Sequence, residues 1–376
     1  MASTRRTRIL IVDDSAAMRS LLRGVISADM TLEVAGTAAD GELALEAIDT
    51  LRPDLVLLDV EMPRMDGLIT LRMMRARGWL MPVIMCSGLT QRGARITIEA
   101  LAAGASDYVA KSGEQVTREG AMTALCQELL PKIHALTRPV ALQPETPAWP
   151  PLIAPIATPP SLPLPSCVPT VVVIGVSTGG PAALDVLLPA LPRSFPLPVL
   201  VVQHMPELFT GFLAERLDQR CGLRVREARE GDEVGPGTIY VARGNWHMEV
   251  LAASCQGLPA TLHLHQGSPE NHCRPAVDRL FRSAAAVYGV GVLAVVLTGM
   301  GSDGLAGSRV IRDRGGIVLA QDQATSVVWG MPAAVVNAGL AHRMLALQAF
   351  APEIQRLARI ASGAAGQPRQ LRVSAD

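Results

Sequence analysis

Residues 169–188 read PTVVVIGVSTGGPAALDVLL and combine a short apolar segment, a glycine-rich turn and a second apolar segment. The first segment, which includes Val171 to Ile174, has the length and β-branched composition of a buried strand. The apolar run from Ala182 is typical of a helix, and Pro181 suits the first turn of that helix. The stretch therefore predicts a strand–turn–helix unit with Ser177 at the apex of the turn.

A serine at such a turn has the properties of a nucleophile. Its hydroxyl stands clear of the backbone, and the free N–H groups at the start of the helix can stabilise negative charge on an attacked carbonyl oxygen. The residues around Ser177 also match the G-x-S-x-G spacing of a nucleophile elbow. A phosphate-binding turn, or a simple break between strand and helix, gives the same pattern. Catalysis by Ser177 therefore requires a base and an orienting acid elsewhere in the chain.

The composition favours two α/β domains. The chain has 376 residues, enough for two ordinary cores, and its 49% hydrophobic and 3% aromatic content is typical of helix-covered parallel sheets. Its 34 basic and 34 acidic residues cancel, so charge gives no reason to expect a nucleic-acid partner. Six scattered cysteines without a CxxC pair favour free thiols.

The N-terminal sequence MASTRRTR lacks the apolar region of a signal peptide. No apolar run approaches the roughly 20 residues that a membrane-spanning helix needs. We therefore expect a cytoplasmic protein without direct membrane insertion.

Residues 7 to about 130 alternate apolar segments with amphipathic ones, which predicts a doubly wound parallel sheet. The carboxyl ends of parallel strands meet at one edge, so the polar residues that follow the strands should converge there. Three carboxylates at that edge would repel one another unless a hard cation such as Mg²⁺ joined them, and an outward-facing carboxylate could attack phosphorus. Solvated or helix-capping acids are the alternative. The residues concerned are Asp13, Asp14, Asp59, Ser87 and Lys111.

The same residues carry a family resemblance. The Asp13-Asp14 pair, LLDVEMPRMDG around Asp59, CSG at Ser87 and DYVAK at the end make residues 7–130 resemble a response-regulator receiver domain. The resemblance implies that Asp59 accepts a phosphoryl group. Ser112 stands where that family usually has a proline. The implied Mg²⁺ ligands are Asp13, Asp14, Asp59 and the backbone carbonyl of Glu61, and the implied switch residues are Ser87, Tyr108 and Lys111.

Residues 139–169 contain eleven prolines and little charge. Such a segment forms neither helix nor sheet, so we expect an extended spacer between two domains. It could serve as a hinge that lets one domain cover the other, or as a passive connection.

Two further strand ends, in a second domain at residues 170–363, carry candidates to work with Ser177. His204 follows the apolar segment VLVVQ, and Asp303 follows LAVVLTGMGS. If these strand ends are neighbours, His204 can act as the base and Asp303 can fix its tautomer. The chain order Ser, His, Asp differs from the order in α/β-hydrolases, which argues against that fold. A structural role for His204 is the alternative.

Other residues suggest competing sites. His263, His265, His272 and Cys273 could form a metal cluster, although they lack tight ligand spacing. Arg274 could contact an acidic substrate or have an ordinary surface role.

Six stretches between about 171 and 340 resemble the catalytic domain of the chemotaxis protein-glutamate methylesterase family, CheB. The resemblance implies a Rossmann-like parallel-sheet esterase domain with Ser177, His204 and Asp303 as its triad, and an oxyanion hole formed partly by the backbone near Met300. Residues Ala242-Arg243-Gly244 depart from the family's usual APG. The stretches are IGVSTGGP, VVQHMP, GDEVGPGTIYVA, RPAVDRLFRSAA, VVLTGMGSDG and LAQDQATSVVWGMPAAV.

These resemblances together imply a phosphorylation-activated serine esterase. It would hydrolyse glutamate methyl esters on methyl-accepting chemotaxis receptors, on their cytoplasmic helices, and deamidate specific glutamines, releasing methanol or ammonia. The chemotaxis histidine kinase is the implied phosphodonor. Mg²⁺ would serve receiver phosphorylation, and ester hydrolysis would need no cofactor. The alternative is a non-catalytic response regulator whose second domain binds a nucleotide or a partner through the glycine-rich turn.

Overall fold

A computed structural model describes residues 5–88, 90–111, 118–137, 164, 168–253, 255 and 258–364. Ser112 and most of the predicted proline-rich spacer lie outside these residues. The chain divides into two compact units. Two short segments, Thr178–Ala182 and Glu207–Leu213, group with the N-terminal unit, and the rest of the chain after the spacer forms the C-terminal unit. No helix in the described part of the chain is both long and apolar enough to span a membrane.

The N-terminal unit alternates strands and helices. Its five strands form one sheet in the order β2-β1-β3-β4-β5, with every neighbouring pair parallel. The elements are β1 Thr7–Val12, α1 Ala16–Ser27, β2 Leu32–Ala38, α2 Gly41–Leu51, β3 Leu55–Asp59, α3 Gly67–Ala76, β4 Val83–Ser87, α4 Gln91–Ala102, β5 Asp107–Ala110 and α5 Arg118–Thr137.

Local sequence signals explain where these helices begin. Ser15 precedes α1 and accepts a hydrogen bond from the backbone N–H of Met18, while Asp40 caps α2 in the same way. Such caps satisfy backbone donors that have no partner inside the helix. β1, β3 and β4 present almost entirely buried aliphatic side chains, as expected for strands covered by helices on both faces.

The C-terminal unit contains a larger sheet of seven strands in the order β14-β13-β12-β6-β7-β9-β8, again with parallel neighbours. β10 and β11 form a separate antiparallel pair. The elements are β6 Val171–Val176, α6 Gly180–Leu187, β7 Val199–Gln203, α7 Glu207–Arg220, β8 Arg224–Glu227, β9 Thr238–Val241, β10 His247–Leu251, β11 Thr261–His265, α8 Val277–Tyr288, β12 Val292–Val296, α9 Leu305–Asp313, β13 Ile317–Gln321, α10 Met331–Asn337, β14 Arg343–Leu345 and α11 Phe350–Ala364.

In the middle of this sheet, the first strand of the unit, β6, lies between two strands that come later in the chain. β6 pairs with β7 on one side and with β12 on the other. After β6, the chain adds β7, β8 and β9 on one side of the sheet and then β12, β13 and β14 on the other side. In open parallel sheets, ligands bind beyond the carboxyl ends of the strands at the point where the strand order reverses in this way. The predicted α/β architecture with parallel sheets is therefore confirmed.

Helix α8 packs closely against β6 because Gly175 has no side chain. A Cβ atom added to Gly175 would lie 2.3 Å from Cγ1 of Val277 at the start of α8. That separation is far below any normal carbon–carbon contact. The glycine therefore lets the first turn of α8 approach the end of β6, where Ser177 follows.

Candidate active site

The turn after β6 positions Ser177. Its backbone N–H donates to the carbonyl of Thr298, which lies two residues beyond the end of β12, at 3.0 Å. Gly179 then adopts a φ of +77°, a left-handed conformation that glycine accepts at little cost, and α6 begins at Gly180. This is the strand–turn–helix unit that the sequence predicts, with Pro181 in the first turn of the helix.

His204 lies at the neighbouring strand end. β7 ends at Gln203, and the backbone N–H of His204 donates to the carbonyl of Val176 at 3.2 Å. The His204 side chain is 12% exposed, so it can still meet a substrate. The Gln203 amide nitrogen donates to the backbone carbonyls of Ser177, at 3.0 Å, and of His204, at 3.2 Å. One buried amide therefore ties the two candidate catalytic residues together.

Asp303 lies in the loop between β12 and α9 and contacts the histidine directly. Its Oδ2 is 2.8 Å from Nε2 of His204. The backbone N–H of Val277 donates to the same oxygen at 2.6 Å, and that of Asp278 donates to Oδ1 at 3.0 Å. The side-chain amide of Asn271 donates to Oδ1 as well, also at 3.0 Å. The carboxylate is thus fixed in position as a hydrogen-bond acceptor.

These contacts set the protonation of the pair. Burial acts to raise the pKa of Asp303, but the hydrogen bond with His204 and the backbone donors outweigh it and lower that pKa to about 2. Burial acts to lower the pKa of His204, but hydrogen bonds with Asp303 and Cys273 outweigh burial and raise it. The surroundings therefore favour an ionised carboxylate beside a histidine that readily holds a proton.

The second nitrogen of the imidazole faces a thiol. Nδ1 of His204 lies 3.5 Å from Sγ of Cys273. Among the described residues, neither ring nitrogen of His204 has a hydrogen bond to Oγ of Ser177. The structure thus brings His204 and Asp303 into direct contact, and it joins Ser177 to them through backbone bonds and Gln203. The assignment of the three residues as a catalytic triad stays a prediction.

The loop after β12 passes close to Ser177. A Cβ atom added to Gly299 would lie 2.8 Å from Cβ of Ser177, so only glycine fits there without displacement. The N–H of Gly299 donates to the carbonyl of Val328. In the described part of the chain the N–H of Met300 has no backbone acceptor. The predicted contribution of Met300 to an oxyanion hole is compatible with this arrangement.

Four further residues contact the candidate triad and could not be assigned from the sequence. Gln203 is the last residue of a predicted strand, and in the sequence only its place in the VVQHMP motif indicated a functional role. Asn271, Cys273 and Asp278 lie in and just after the loop between β11 and α8, where no periodicity indicates which side chains turn inward. Asn271 has a φ of +52° and donates to both Asp278 and Asp303.

The residues of the competing sites make local contacts instead. His263 pairs with Glu230 at 3.0 Å, and His265 pairs with Glu249 at 3.2 Å. Within the described residues, His263, His265 and His272 do not join Cys273 in a metal-binding group, and Cys273 lies close to His204 and Asp303 instead. The guanidinium of Arg274 donates to Asn245 Oδ1 and to the carbonyls of Gln266 and Gly267, so it holds neighbouring loops together. Arg243 lies over the ring of Trp246, at 5.6 Å from its centroid.

The N-terminal unit carries its own cluster at one sheet edge. Nζ of Lys111 lies 2.6 Å from Oδ1 of Asp59 and 2.8 Å from Oδ2 of Asp13, and both carboxylates are buried. Asp14 is exposed beside them. Burial raises the pKa of Asp59 to about 6, because the attraction of Lys111 only partly offsets the loss of water and Asp13 repels the charge.

The acidic cluster fits a divalent cation. One oxygen from each of Asp13, Asp14 and Asp59 lies within 4.8 Å of the others. Oδ2 of Asp13 is buried and lies 2.8 Å from Nζ of Lys111. Hard carboxylate oxygens are the donor set that Mg²⁺ prefers. Glu61 lies two residues beyond β3, and its side chain pairs with Arg92 at 3.4 Å.

The predicted switch residues surround this edge. Ser87 ends β4 and is fully buried, and its Oγ donates to the carbonyl of Gly88 at 3.1 Å. The N–H of Lys111 donates to the carbonyl of Ser87 at 2.8 Å. Tyr108 is 5% exposed, and burial raises the pKa of its hydroxyl well above the usual value. The structure thus brings Asp13, Asp59, Ser87 and Lys111 to one edge, as expected.

Comparisons with known proteins agree with the two-unit architecture. Residues 172–354 match the family model described as CheB methylesterase, and residues 9–118 match the response regulator receiver domain. A protein-glutamate methylesterase/protein-glutamine glutaminase of Nocardioides sp. is 50% identical over 94% of this chain and 96% of its own length, and one of Trichodesmium erythraeum is 46% identical over 93% and 98%. The crystal structure of the Thermotoga maritima CheB methylesterase catalytic domain is 42% identical and covers 51% of this chain and all of its own, with a TM-score of 0.49. Because it is 50% identical to one of these relatives over 94% of its length, the chain belongs to the CheB methylesterase family and carries an N-terminal response-regulator receiver domain.

Proposed function

We propose that the chain is a serine esterase that hydrolyses methyl esters of glutamate side chains in chemotaxis receptors. The observation that carries the proposal is the 2.8 Å contact between His204 and Asp303, formed one strand away from the turn that presents Ser177. The names of its relatives, protein-glutamate methylesterase/protein-glutamine glutaminase, support the same activity. In a non-catalytic output domain, the buried ionisable pair of His204 and Asp303 would have no function.

The hydrogen bond between His204 and Asp303 indicates which nitrogen of the imidazole acts as the base. Because Nε2 of His204 is bound to Asp303, Nδ1 is the nitrogen that removes the proton from Oγ of Ser177. Oγ attacks the ester carbonyl, and the imidazolium then gives its proton to the departing methoxide, which leaves as methanol. Water, activated by the same nitrogen, hydrolyses the acyl-enzyme to free glutamate and Ser177. Asp303 stabilises the imidazolium in both halves of the reaction.

The same residues can deamidate glutamine. The attack by Ser177 is unchanged, and His204 protonates the leaving nitrogen so that ammonia departs instead of methanol. The N–H of Met300 would stabilise the negative oxygen in both reactions. A single site therefore accounts for both activities in the names of the relatives.

We propose further that phosphorylation of Asp59 by a chemotaxis histidine kinase activates this esterase. Asp13, Asp14 and Asp59, with the backbone carbonyl of Glu61, would hold Mg²⁺, which when bound neutralises negative charge on the phosphoryl oxygens. Lys111 is already within ion-pair distance of Asp59 and can contact the transferred group. Ser87 and Tyr108 would respond to its charge. The receiver-domain match and the convergence of oxygens from Asp13, Asp14 and Asp59 within 4.8 Å of one another support this assignment.

The direct test is methanol release from methylated receptor membranes by Ser177→Ala. We expect turnover to fall by at least about a thousandfold, because the nucleophile is lost and only binding and oxyanion stabilisation remain. Ser302→Ala is the matched control, since it removes a hydroxyl from the exposed loop before Asp303. Wild-type rates from Ser177→Ala would show that another group is the nucleophile.

Regulation is tested in the same assay. Acetyl phosphate with Mg²⁺ should accelerate methanol release by the wild-type chain and leave Asp59→Asn unchanged, because the amide cannot supply the attacking oxygen. Equal acceleration of both proteins would show that a residue other than Asp59 accepts the phosphoryl group.

A further inference from the structure

The thiol of Cys273 gives the candidate active site a feature that ester hydrolysis does not use. Its Sγ lies 3.5 Å from Nδ1 of His204, the nitrogen that must act as the base. Both side chains are partly buried in the C-terminal unit. Among the described residues, His204, Cys273 and Asp303 form one of the two groups whose ligand atoms are close enough to share a metal ion.

The spacing of the two atoms matches that of zinc ligands. A tetrahedral Zn²⁺ with bonds of about 2.0–2.1 Å to histidine nitrogen and about 2.3 Å to cysteine sulfur holds those two atoms roughly 3.5 Å apart. The observed distance between Nδ1 and Sγ is 3.5 Å. An ion could therefore enter between them with little movement of either side chain.

Asp303 completes the arrangement from the other side of the ring. Histidines that bind metals usually donate their second N–H to a carboxylate, which fixes the ring and strengthens the metal bond. Nε2 of His204 makes this hydrogen bond to Asp303 at 2.8 Å, and Asp303 is itself held by backbone donors. When the ring is neutral, Nδ1 is therefore the unprotonated nitrogen, and it lies 3.5 Å from the thiol sulfur.

We propose that His204 and Cys273 form an inhibitory site for Zn²⁺ or a similar thiophilic divalent cation. Binding forms bonds from Nδ1 and from the thiolate sulfur to the ion, and the proton of the thiol, together with the proton that Nδ1 carries when the ring is protonated, is released to solvent. The ion takes the lone pair with which His204 would remove the proton of Ser177. The metal site depends on geometry alone, whereas its effect on hydrolysis depends on the proposed role of His204 as the base.

The ligand chemistry separates this site from the acidic cluster of the N-terminal unit. Imidazole and thiolate select zinc-like metals, while Mg²⁺ and Ca²⁺ prefer oxygen ligands. We therefore expect Mg²⁺, which would serve the receiver, to leave hydrolysis by the C-terminal unit uninhibited. Activation and inhibition would then respond to different ions in one chain.

The first experiment measures binding without substrate. Co²⁺ added to the full-length protein should produce the near-ultraviolet charge-transfer band of a cobalt–thiolate bond, and Zn²⁺ should displace it. Cys273→Ala should lack the band. Cys221→Ser is the matched control, because it removes another partly buried thiol from the C-terminal unit, and it should keep the band. A band of wild-type intensity in Cys273→Ala would place the metal elsewhere and overturn the proposal.

The second experiment measures hydrolysis. Zn²⁺ should lower methanol release by the wild-type and Cys221→Ser proteins by at least about tenfold, since general-base catalysis is worth about 10²–10⁴-fold, and a chelator should restore it. Cys273→Ala should need much more Zn²⁺ for the same loss. Equal sensitivity of Cys273→Ala and wild type would overturn the proposal. Binding at Cys273 without any loss of hydrolysis would overturn the inhibitory effect and would also contradict the role of His204, while leaving the metal site established.

Discussion

Asp303, a residue of the proposed triad, is held in place by neighbours that are distant in sequence. Its carboxylate accepts hydrogen bonds from His204, from two backbone N–H groups at the start of α8, from Asn271 and from the N–H of Gly304. These donors prevent the carboxylate from rotating, so the imidazole has one preferred orientation. They also hold the pKa of Asp303 at about 2, which keeps the residue ionised at every pH at which the esterase would operate.

Cys273 should affect the pH dependence of catalysis. Asp303 and Cys273 both raise the pKa of His204 against the opposing effect of burial, and only the unprotonated ring can act as a base. Removing the thiol removes one of the raising interactions. In metal-free buffer, Cys273→Ala should therefore shift the rising limb of the kcat/KM profile for ester hydrolysis to lower pH.

The comparison is with Cys221→Ser, which should keep the wild-type profile. Because the shift follows from the contact at Nδ1, Cys273→Ser should lie between the wild type and Cys273→Ala, since a hydroxyl oxygen can still accept a hydrogen bond from the protonated Nδ1. If the rising limb of the kcat/KM profile of Cys273→Ala lies at the same pH as in the wild type, the thiol does not influence the pKa of His204.

At the scale of elements, the ends of the strands determine the site. β6, β7 and β12 are adjacent, and they deliver Ser177, His204 and the loop that leads to Asp303. Gln203, the last residue of β7, bridges the carbonyls of Ser177 and His204 with its amide nitrogen, while its Oε1 has no hydrogen bond in the described structure. This side chain links the two strand ends through the backbone.

We predict that Gln203→Met lowers kcat by about ten- to thirtyfold with little change in KM, because two hydrogen bonds worth about 1 kcal/mol each are lost between the catalytic residues. Methionine has a similar length and fills the same buried volume. The free energy of unfolding should change little, since the substitution also removes an unsatisfied oxygen. Steady-state kinetics measures kcat and KM, and urea unfolding measures the free energy of unfolding. If kcat falls only to the extent that the variant is unfolded, Gln203 has a structural role alone.

The strands and their polar ends were predictable from the sequence because buried β-branched segments in parallel sheets are nearly continuous and apolar. This is why Ser177 and His204, and the acidic cluster of the N-terminal unit, could be identified. The loop between β11 and α8 has no such period, so nothing in the sequence pattern indicated that Asn271 and Cys273 turn towards His204 and Asp303. Their positions depend on the left-handed backbone at Asn271 and on contacts between segments far apart in the chain.

For the whole molecule, the buried carboxylate of Asp59 makes stability depend on pH. The pKa of Asp59 is about 6 in the folded protein, against 3.8 ordinarily, so between these values the folded state binds more protons than the unfolded state. Stability of the N-terminal unit contributed by Asp59 is therefore highest below about pH 4 and falls as the pH rises to about 6. Above that pH, the unit holds a buried negative charge at a cost in free energy.

We predict that Asp59→Asn stabilises the N-terminal unit at pH 7 by about 1–2 kcal/mol in the absence of divalent ions, after allowance for solvent screening, and has little effect near pH 4. Mg²⁺ should stabilise the wild type more than the variant at pH 7. Amide hydrogen exchange of β1, β3 and β4 measures the effect within this unit of the full-length chain. Asp49→Asn, on the exposed face of α2, is the control, and an equal pH response in both variants would contradict the assignment.

The pairing of β6 with β12 also determines when during synthesis the enzyme becomes competent. Ser177 and His204 leave the ribosome early in the second unit, but the strand that flanks β6 on its other side and the carboxylate beyond it come about a hundred residues later. Domains generally fold as they are translated, from the N-terminus onward. A nascent or prematurely terminated chain thus holds Ser177 and His204 without Asp303, so with the proposed triad we expect hydrolytic activity to begin only after β12 has paired with β6.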